Sequence, residues 1–371
     1  MTDSQHGERA YGSWPSPITA AHVAAAGRKL SDVCIDRAGD TPVLYWIESR
    51  PDEAGRNTIM RLDDGGEAVS LLDAPASARS AVHEYGGAAF TVHAGTVWFV
   101  NAADQAIWRR APSGELAPIT DAAKPGQFAD LQFDAAHDRL FAIAETPREG
   151  DEPRATVESI DADGHRRVIA QGHDFYASPR LSPAGDRLVW LAWNHPDMPW
   201  DATELWQTEI DADGIPGTPQ CLWAPTDVSL FGPRFDPNGR LHIVCDDNEW
   251  WNIYRERPGQ DGFEAVTRER AEFGVPQWVF GQSTYTFTDD GRLIAMATAD
   301  GLWQIGEVDQ NSGTFSPWPL AWDFYEQLQS IGDAVVVVAA ILARAVILFG
   351  LLPLLTAAKL SPAFPSTMTT T

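Results

Sequence analysis

The sequence predicts an all-β protein, a seven-bladed β-propeller with an incomplete or aberrant last blade and one short helix before the first blade. Three observations support this prediction. Short apolar runs that follow turn residues recur about every fifty residues, a spacing typical of propellers and other repeat proteins. Most repeats hold four such runs, and helical periodicity is nearly absent from the chain.

The repeat is measured from a leucine or valine close after each turn. The intervals between successive positions are 53, 43, 48, 53, 52 and 42 residues, and the positions are Leu44, Val97, Leu140, Leu188, Leu241, Leu293 and Val335. The clearest pair is "PRLSPAGDRLVWLAW" (179–193) and "PRFDPNGRLHIVCDD" (233–247), which share Pro-Arg, a second proline and a glycine. Each indicates a strand, a tight turn and a second strand. The seven positions therefore predict seven blades.

The chain divides into three predicted parts. Residues 1–28 form an N-terminal segment, in which "ITAAHVAAAG" predicts a helix with Thr19 as its N-cap and Gly27 just past its end. Residues 29–340 form the propeller. Residues 341–371 form an aberrant apolar tail.

Composition limits the class of function. The formal net charge of −25 and the pI near 4.6 argue against nucleic acid, because phosphates would be repelled. The three cysteines are far apart and predict neither a disulfide framework nor a zinc site. The N-terminus has no apolar stretch typical of a signal peptide, so a cytoplasmic location is expected. No cofactor motif is found.

Two loops hold the candidate site residues. "VHEYGGAAF" (82–90) contains His83, Glu84 and Tyr85 beside two glycines, and either faces a ligand or forms a glycine bulge entering blade two. "LAWNHPDMPWDATELW" (191–206) contains His195 and Trp200, in either a binding loop or a structural loop held by its tryptophan and prolines. Both interpretations stay open for each loop.

Catalytic and metal-binding motifs are missing from the sequence. A serine hydrolase of the α/β type needs G-x-S-x-G, so that the serine sits on a strained turn, and the nearest stretch, "FGQSTY" around Ser283, lacks the second glycine. The acidic turns "DADG" and "DDNEWW" lack the spacing of a calcium loop and are typical of hairpin turns. No catalytic residue and no metal ligand is predicted.

Several stretches together resemble the prolyl-oligopeptidase family of serine peptidases, particularly its bacterial dipeptidyl-aminopeptidase and acylaminoacyl-peptidase-like members. They run in order from about Tyr11 to Ala340 and include "YGSWPSPITA", "YWIESRPDEAGR", "VHEYGGAAF", "DFYASPRLSPAGDRLVWLAWNHPDMPWDATELW", "GRLHIVCDDNEWWNIY" and "AEFGVPQWVFGQSTYTF". The resemblance implies a seven-bladed propeller that precedes an α/β-hydrolase domain and admits only short peptides. It places the Ser-Asp-His triad in the hydrolase domain, for which this chain has no matching positions. One departure is Ala88, where a third glycine is expected.

The tail interrupts the pattern. Residues 341–371 contain Arg344 and Lys359 but no acidic residue, although the chain has 52. Three interpretations are open: a change of coding frame near residue 340, a membrane anchor through 334–358, or an edge strand and helix that close a shortened propeller. The anchor is disfavoured by Arg344 and Pro353 within the span, because a central arginine costs about 3 kcal/mol on insertion scales.

Two functions are therefore considered. The first is the substrate-gating propeller of a serine peptidase acting on short peptides, inactive alone, with Glu84 pairing the amino terminus of a peptide. The second is a non-enzymatic propeller that serves as a binding platform, tethered to a membrane by its tail.

Overall fold

A computed structural model describes residues 10, 12, 13, 19, 27–124, 126–320, 322–341, 344–351, 356 and 357. From residue 341 onwards only the backbone of the described residues is considered. The helix predicted over 18–27 lies outside the described residues, apart from Thr19 and Gly27. Among the described residues, the one helical element is a single 3-10 turn, Pro51–Glu53.

The strands form seven four-stranded sheets, each built from four strands that are consecutive in the chain and antiparallel. The strands of the first four sheets are β1 (Leu30–Asp36), β2 (Val43–Arg50), β3 (Arg56–Leu62), β4 (Ala68–Ser70); β5 (Phe90–His93), β6 (Thr96–Val100), β7 (Ile107–Arg110), β8 (Leu116–Pro118); β9 (Gln127–Asp134), β10 (Arg139–Arg148), β11 (Asp151–Asp161), β12 (Arg166–Gln171); β13 (Phe175–Leu181), β14 (Arg187–Trp193), β15 (Glu204–Glu209) and β16 (Gln220–Trp223).

The strands of the last three sheets are β17 (Leu230–Phe235), β18 (Leu241–Cys245), β19 (Asn252–Glu256), β20 (Phe263–Ala265); β21 (Tyr285–Phe287), β22 (Leu293–Ala299), β23 (Leu302–Val308), β24 (Phe315–Pro317); β25 (Phe324–Ile331), β26 (Ala334–Ile341), β27 (Arg344–Leu351) and β28 (Thr356–Ala357). The seven positions used to measure the repeat all lie in the second strand of a sheet. The hairpins predicted at 179–193 and 233–247 are present as β13–β14 and β17–β18.

The second strand of each sheet forms the core. In β18 all five residues are buried, and in β14 six of seven are, because both faces of the strand are covered by neighbouring sheets. Each fourth strand is shorter than the second strand of its sheet, and apart from Ala170 the fourth-strand side chains that the structure describes are exposed or half-buried. Core clusters join side chains of adjacent sheets; one of them packs Trp46 and Met60 of the first sheet against Val336 and Val338 of the last. The predicted all-β propeller architecture is thereby confirmed.

The first strands carry a feature that the repeat pattern does not predict. Five of them contain a β-bulge at a residue in the left-handed region, with φ between 50° and 62°: Asp32, Asp130, Ser178, Gly232 and Gln327. A bulge redirects the side chains around it. Residues at or beside these bulges line a central cavity.

The described part of the tail is β-structure. Backbone pairing joins β27 to β26 over the full length of both strands, and β28 pairs with β27. The strand Arg344–Leu351 thus takes the place of the third strand in the last sheet. Among the residues that the structure describes, none forms a helix long and apolar enough to span a membrane. Residues 342, 343, 352–355 and 358–371 of the predicted tail lie outside the described part.

Candidate functional site

The candidate residues lie on connections that emerge at one face of the propeller. Because the four strands of each sheet alternate in direction, every connection after a second or fourth strand ends at the same face. We call this the loop face. Residues 71–89 follow the fourth strand of the first sheet, residues 194–203 join β14 to β15, and residues 266–284 follow the fourth strand of the fifth sheet. Both predicted loops and a third one therefore meet here.

The 82–90 loop turns sharply through left-handed backbone. His83, Glu84, Gly86, Gly87 and Ala88 all have positive φ, from 43° to 102°. A Cβ at Gly86 would lie 2.1 Å from the carbonyl oxygen of Ser80, and one at Gly87 would lie 2.5 Å from that of Phe280. The glycines are thus required because the loop packs against the protein's own backbone. Ala88, the departure from the expected third glycine, also takes a left-handed conformation.

His83 points into an aromatic enclosure. Its ring lies 4.7 Å from Phe280, 5.2 Å from Phe175 and 5.6 Å from Trp193, measured between centroids. Its backbone N–H faces both carboxyl oxygens of Glu145 at 3.3 Å, and its Nε2 is 3.7 Å from Oε1 of the same residue.

Burial decides the charge of this pair. It lowers the pKa of His83 to about 4 and raises the pKa of Glu145 to about 7. The 3.7 Å separation would permit an ion pair, but the rings exclude the water that would solvate both charges. A neutral imidazole beside a largely protonated carboxyl group is therefore the favoured state near pH 6.

Glu84 lies next to this pair and is exposed. Its negative charge and that of Glu152 contribute to raising the pKa of Glu145, after burial. Three carboxyl groups are thus near one another at this edge of the loop face, and a cation would relieve their repulsion.

Tyr85 belongs to an exposed aromatic cluster that continues across two further loops. Its side chain is 61% exposed and lies 5.7 Å from Trp278, which is 50% exposed; Trp278 in turn lies 4.6 Å from Trp200. Met198, 42% exposed, belongs to the same 194–203 loop as Trp200. Exposed aromatic side chains close together are typical of binding surfaces.

His195 contacts Phe175 as well. Its ring is 4.9 Å from Phe175, and its Nδ1 and its backbone N–H contact Oδ2 of Asp174 at 3.1 Å and 3.0 Å. These contacts, the backbone hydrogen bond first, lower the pKa of Asp174. His195 is 62% exposed, so the imidazole is open to solvent.

All five predicted site residues are therefore brought to one face, in two groups. In the first group, His83 and His195 both contact Phe175. In the second group, Tyr85 and Trp200 both contact Trp278. Glu84 lies between His83 and Tyr85 in the 82–90 loop. Glu145, Phe175, Trp278 and Phe280 were not singled out from the sequence. They are distant along the chain, and no spacing rule connects them to the 82–90 loop.

Two weaker sequence signals have structural explanations. Ser283 is buried; its hydroxyl donates to the carbonyl of Leu328 and accepts a hydrogen bond from Arg234, which leaves it unlike a nucleophile on a strand-to-helix turn. Asp161, Asp163 and His165 are grouped on a hairpin turn, all exposed, and Asp161 accepts the turn's own backbone N–H groups.

Comparison with solved structures gives close similarity in fold. A puromycin hydrolase is 29% identical, with a TM-score of 0.83, over 91% of this chain and 54% of that one. A puromycin-hydrolyzing peptidase of Mycobacterium tuberculosis is also 29% identical, with a TM-score of 0.83, over 96% of this chain and 57% of that one. Prolyl oligopeptidase B of Galerina marginata, 12% identical with a TM-score of 0.63 over 91% and 52% of the two chains, shares the fold.

The chain thus spans about half the length of the solved structures that it matches. No family model and no curated protein sequence matches it. What the comparisons establish is that this propeller resembles the propeller part of prolyl-oligopeptidase-type peptidases, and that their hydrolase domain is absent from the matched region.

Proposed function

We propose that this chain is the substrate-gating propeller of a serine peptidase of the prolyl-oligopeptidase type, in which a hydrolase domain outside this chain cleaves short peptides. The observation that carries the proposal is 29% identity and a TM-score of 0.83 to two puromycin-cleaving enzymes over nine-tenths of the chain. The lack of G-x-S-x-G agrees with it. By this proposal the chain alone binds peptides without hydrolysing them.

We infer that the seven sheets are the seven blades of one closed ring. Two contacts between the first and last sheets support this count. Arg37, just after β1, donates to the carbonyl oxygen and the hydroxyl of Ser330 in β25, and the cluster around Trp46 includes Val336 and Val338. The cavity that we describe below is lined from all seven sheets or the loops that lead into them.

The loop face is the proposed peptide-binding face. Glu84 is exposed beside two further carboxyl groups, which favours the ammonium group of a peptide amino terminus. Tyr85, Trp278 and Trp200 offer flat apolar surface to the side chains that follow. His195 supplies an exposed hydrogen-bonding group beside Phe175.

Titration calorimetry with a short peptide tests the proposal. Trialanine with a free amino terminus is compared with its N-acetylated form, on the wild-type chain and on Glu84→Gln. We expect the wild type to bind the free form about tenfold more tightly, because a charge-assisted hydrogen bond is worth about 1.5–3 kcal/mol. Glu84→Gln should remove the preference.

The matched control is Glu115→Gln. Glu115 is exposed on the connection between β7 and β8, which follows a third strand and therefore emerges at the opposite face. It should keep the preference. Equal binding of both peptides by the wild type would contradict the role of Glu84, and release of free alanine by the purified chain would contradict the assignment as a non-catalytic part.

A further inference from the structure

The central cavity is the least explained feature of the molecule. It has a volume of about 420 Å³ and lies where the first strands of the sheets converge. That volume falls within the usual range for small-molecule sites, which is about 300–1,000 Å³. Three arginines line it, Arg37, Arg180 and Arg234, in a chain with a net charge of −25.

Arg234 is held in the cavity without a carboxylate partner. Its guanidinium donates to the hydroxyl of Ser283 at 2.9 Å and lies 3.3 Å from the hydroxyl of Thr286 and 3.4 Å from the amide oxygen of Gln329. All three partners are neutral. Burial first, and the positive charges of Arg180 and Arg37 in addition, lower the pKa of Arg234 to about 10. The guanidinium group of Arg234 therefore remains cationic at neutral pH, although its surroundings in the cavity disfavour a positive charge.

Arg37 is more exposed than Arg234, and the negative charge of Asp289 partly offsets its own. Arg37 donates to the backbone carbonyl and the hydroxyl of Ser330, both neutral acceptors. Within the described part of the chain, neither Arg37 nor Arg234 lies within 4 Å of a carboxylate. Arg180 alone is paired, through Nη1 and Oδ1 of Asp130 at 2.8 Å.

The acidic groups of the cavity do not offset these charges. Asp130 is shared between Arg180 and the backbone N–H of Ser178. Asp32, the other lining carboxyl group, accepts the backbone N–H of Ala89. Burial raises the pKa of Asp32, and the charge of Asp130 raises it further. The cavity is therefore cationic on balance.

A half-buried cation such as Arg234 loses part of its hydration without gaining a counterion, so an anionic ligand that reached it would be stabilised. Arginine is well suited to this because its planar fork matches carboxylate and phosphate oxygens. A second cavity of about 270 Å³ shares Asp32, Gln282, Ser283 and Gln327 with the first and is also lined by Tyr85. It connects the arginines with the loop face.

We propose that the central cavity binds a small oxyanion, a carboxylate or phosphate group, through the guanidinium groups of Arg37 and Arg234 with Arg180 beside them. This site is separate from the loop-face residues, and its existence does not depend on the chain's being part of a peptidase. The oxyanion comes from a free phosphate compound or from the carboxyl terminus of a peptide.

Calorimetry at low ionic strength tests the site with three probes, inorganic phosphate, trialanine and trialanine amide, each against the wild type; both peptides are N-acetylated here, so that they lack the amino terminus proposed to bind Glu84. We expect phosphate or trialanine to bind with one-to-one stoichiometry, and Arg234→Gln to weaken that binding at least tenfold. A preference for phosphate assigns the site to phosphate compounds, whereas a preference for trialanine over its amide assigns it to a peptide carboxylate. Arg167→Gln, an exposed arginine on the outer strand β12, is the matched control and should bind as the wild type does.

Two further measurements test the role of the Arg234 guanidinium group and the position of the bound ligand. Arg234→Lys retains the charge but loses the fork, and should bind between the wild type and Arg234→Gln. Hydrogen exchange of the wild type, which needs no variant, should show phosphate or trialanine protecting β1 and β17. Absence of binding by the wild type, equal binding by Arg234→Gln and Arg167→Gln, or protection confined to other strands would overturn the proposal.

Discussion

The enclosed pair of His83 and Glu145 predicts an unusual pH dependence of stability, which the substitution Glu145→Gln should reveal. Glutamine keeps an oxygen that accepts the backbone N–H of His83, which now lies 3.3 Å from the carboxyl group. The substitution removes only the ability of this side chain to ionise. The comparison of variant and wild type therefore isolates the cost of a buried carboxylate.

The magnitude follows from the pKa values. Glu145 has a pKa of about 7 in the folded protein and an ordinary value of 4.5. Because the folded pKa is raised, the folded state holds its proton more tightly, and this contribution to stability is complete below pH 4.5 and lost as pH rises through 7. A tenfold change in proton affinity is worth about 1.4 kcal/mol, so the loss amounts to about 3 kcal/mol.

His83 acts in the opposite direction. Its pKa falls from 6.5 to about 4 on folding, so stability is lost as pH decreases below 6.5. In the wild type the two effects cancel between pH 4.5 and 6.5. In Glu145→Gln the histidine effect stands alone, and the free energy of unfolding should rise with pH over that interval.

Urea unfolding from pH 3.5 to 8.5 measures the difference in the free energy of unfolding between variant and wild type. The difference should be nearly constant below pH 4.5 and should reach about 3 kcal/mol in favour of Glu145→Gln above pH 7. Glu115→Gln, on an exposed turn, should give a flat difference. If His83 and Glu145 instead formed an ion pair, Glu145→Gln would be destabilised most between the two pKa values, and the reasoning would be refuted.

Two further pairs of substitutions test the packing. Trp190→Ala removes a fully buried side chain of β14 and should lower the free energy of unfolding by about 3–5 kcal/mol. Trp278→Ala removes a half-exposed side chain on the loop face and should change the free energy of unfolding by less than about 1 kcal/mol. Urea unfolding measures both. Gly87→Ala should lower the free energy of unfolding by about 3 kcal/mol or more in thermal and urea unfolding, because the added Cβ would meet the backbone of Phe280. Gly259 also has a positive φ but open space around it, so Gly259→Ala should lower the free energy of unfolding by about 1 kcal/mol. Equal losses for the two alanine variants would show that backbone strain alone, and not the close approach, governs Gly87.

The repeat could be predicted from the sequence because it depends on local signals. A leucine or valine is the first or second residue of the second strand in every sheet, from Leu44 in β2 to Val335 in β26, and six of the seven turns before these strands contain proline or glycine. Burial on both faces requires these strands to be apolar throughout, so they stand out against polar turns. An edge strand in the tail was one of three interpretations that the sequence left open, because residues 341–371 keep apolar runs but lack the acidic residues of the repeat.

The cavity and the aromatic enclosure could not be predicted in the same way. Arg37, Arg180 and Arg234 look like ordinary residues at strand ends, and only the convergence of the first strands brings them together. Left-handed bulges at residues such as Asp130 and Ser178 add to the difficulty, because each inserts a residue and shifts the alternation of faces that sequence patterns assume.

The candidate residues of the loop face lie together for a reason that the topology makes clear. Each sheet sends its second-to-third connection and its exit to the next sheet to one face, so unusual residues on those connections converge even when they are far apart in the chain. His83 and His195 are separated by 112 positions, yet both contact Phe175. Residues on the remaining connections, such as Glu115 and Asp161, face the other way and are separated from this surface by the thickness of the sheets. In a propeller sequence, the position of a residue within its repeat therefore says more about its neighbours than its distance along the chain.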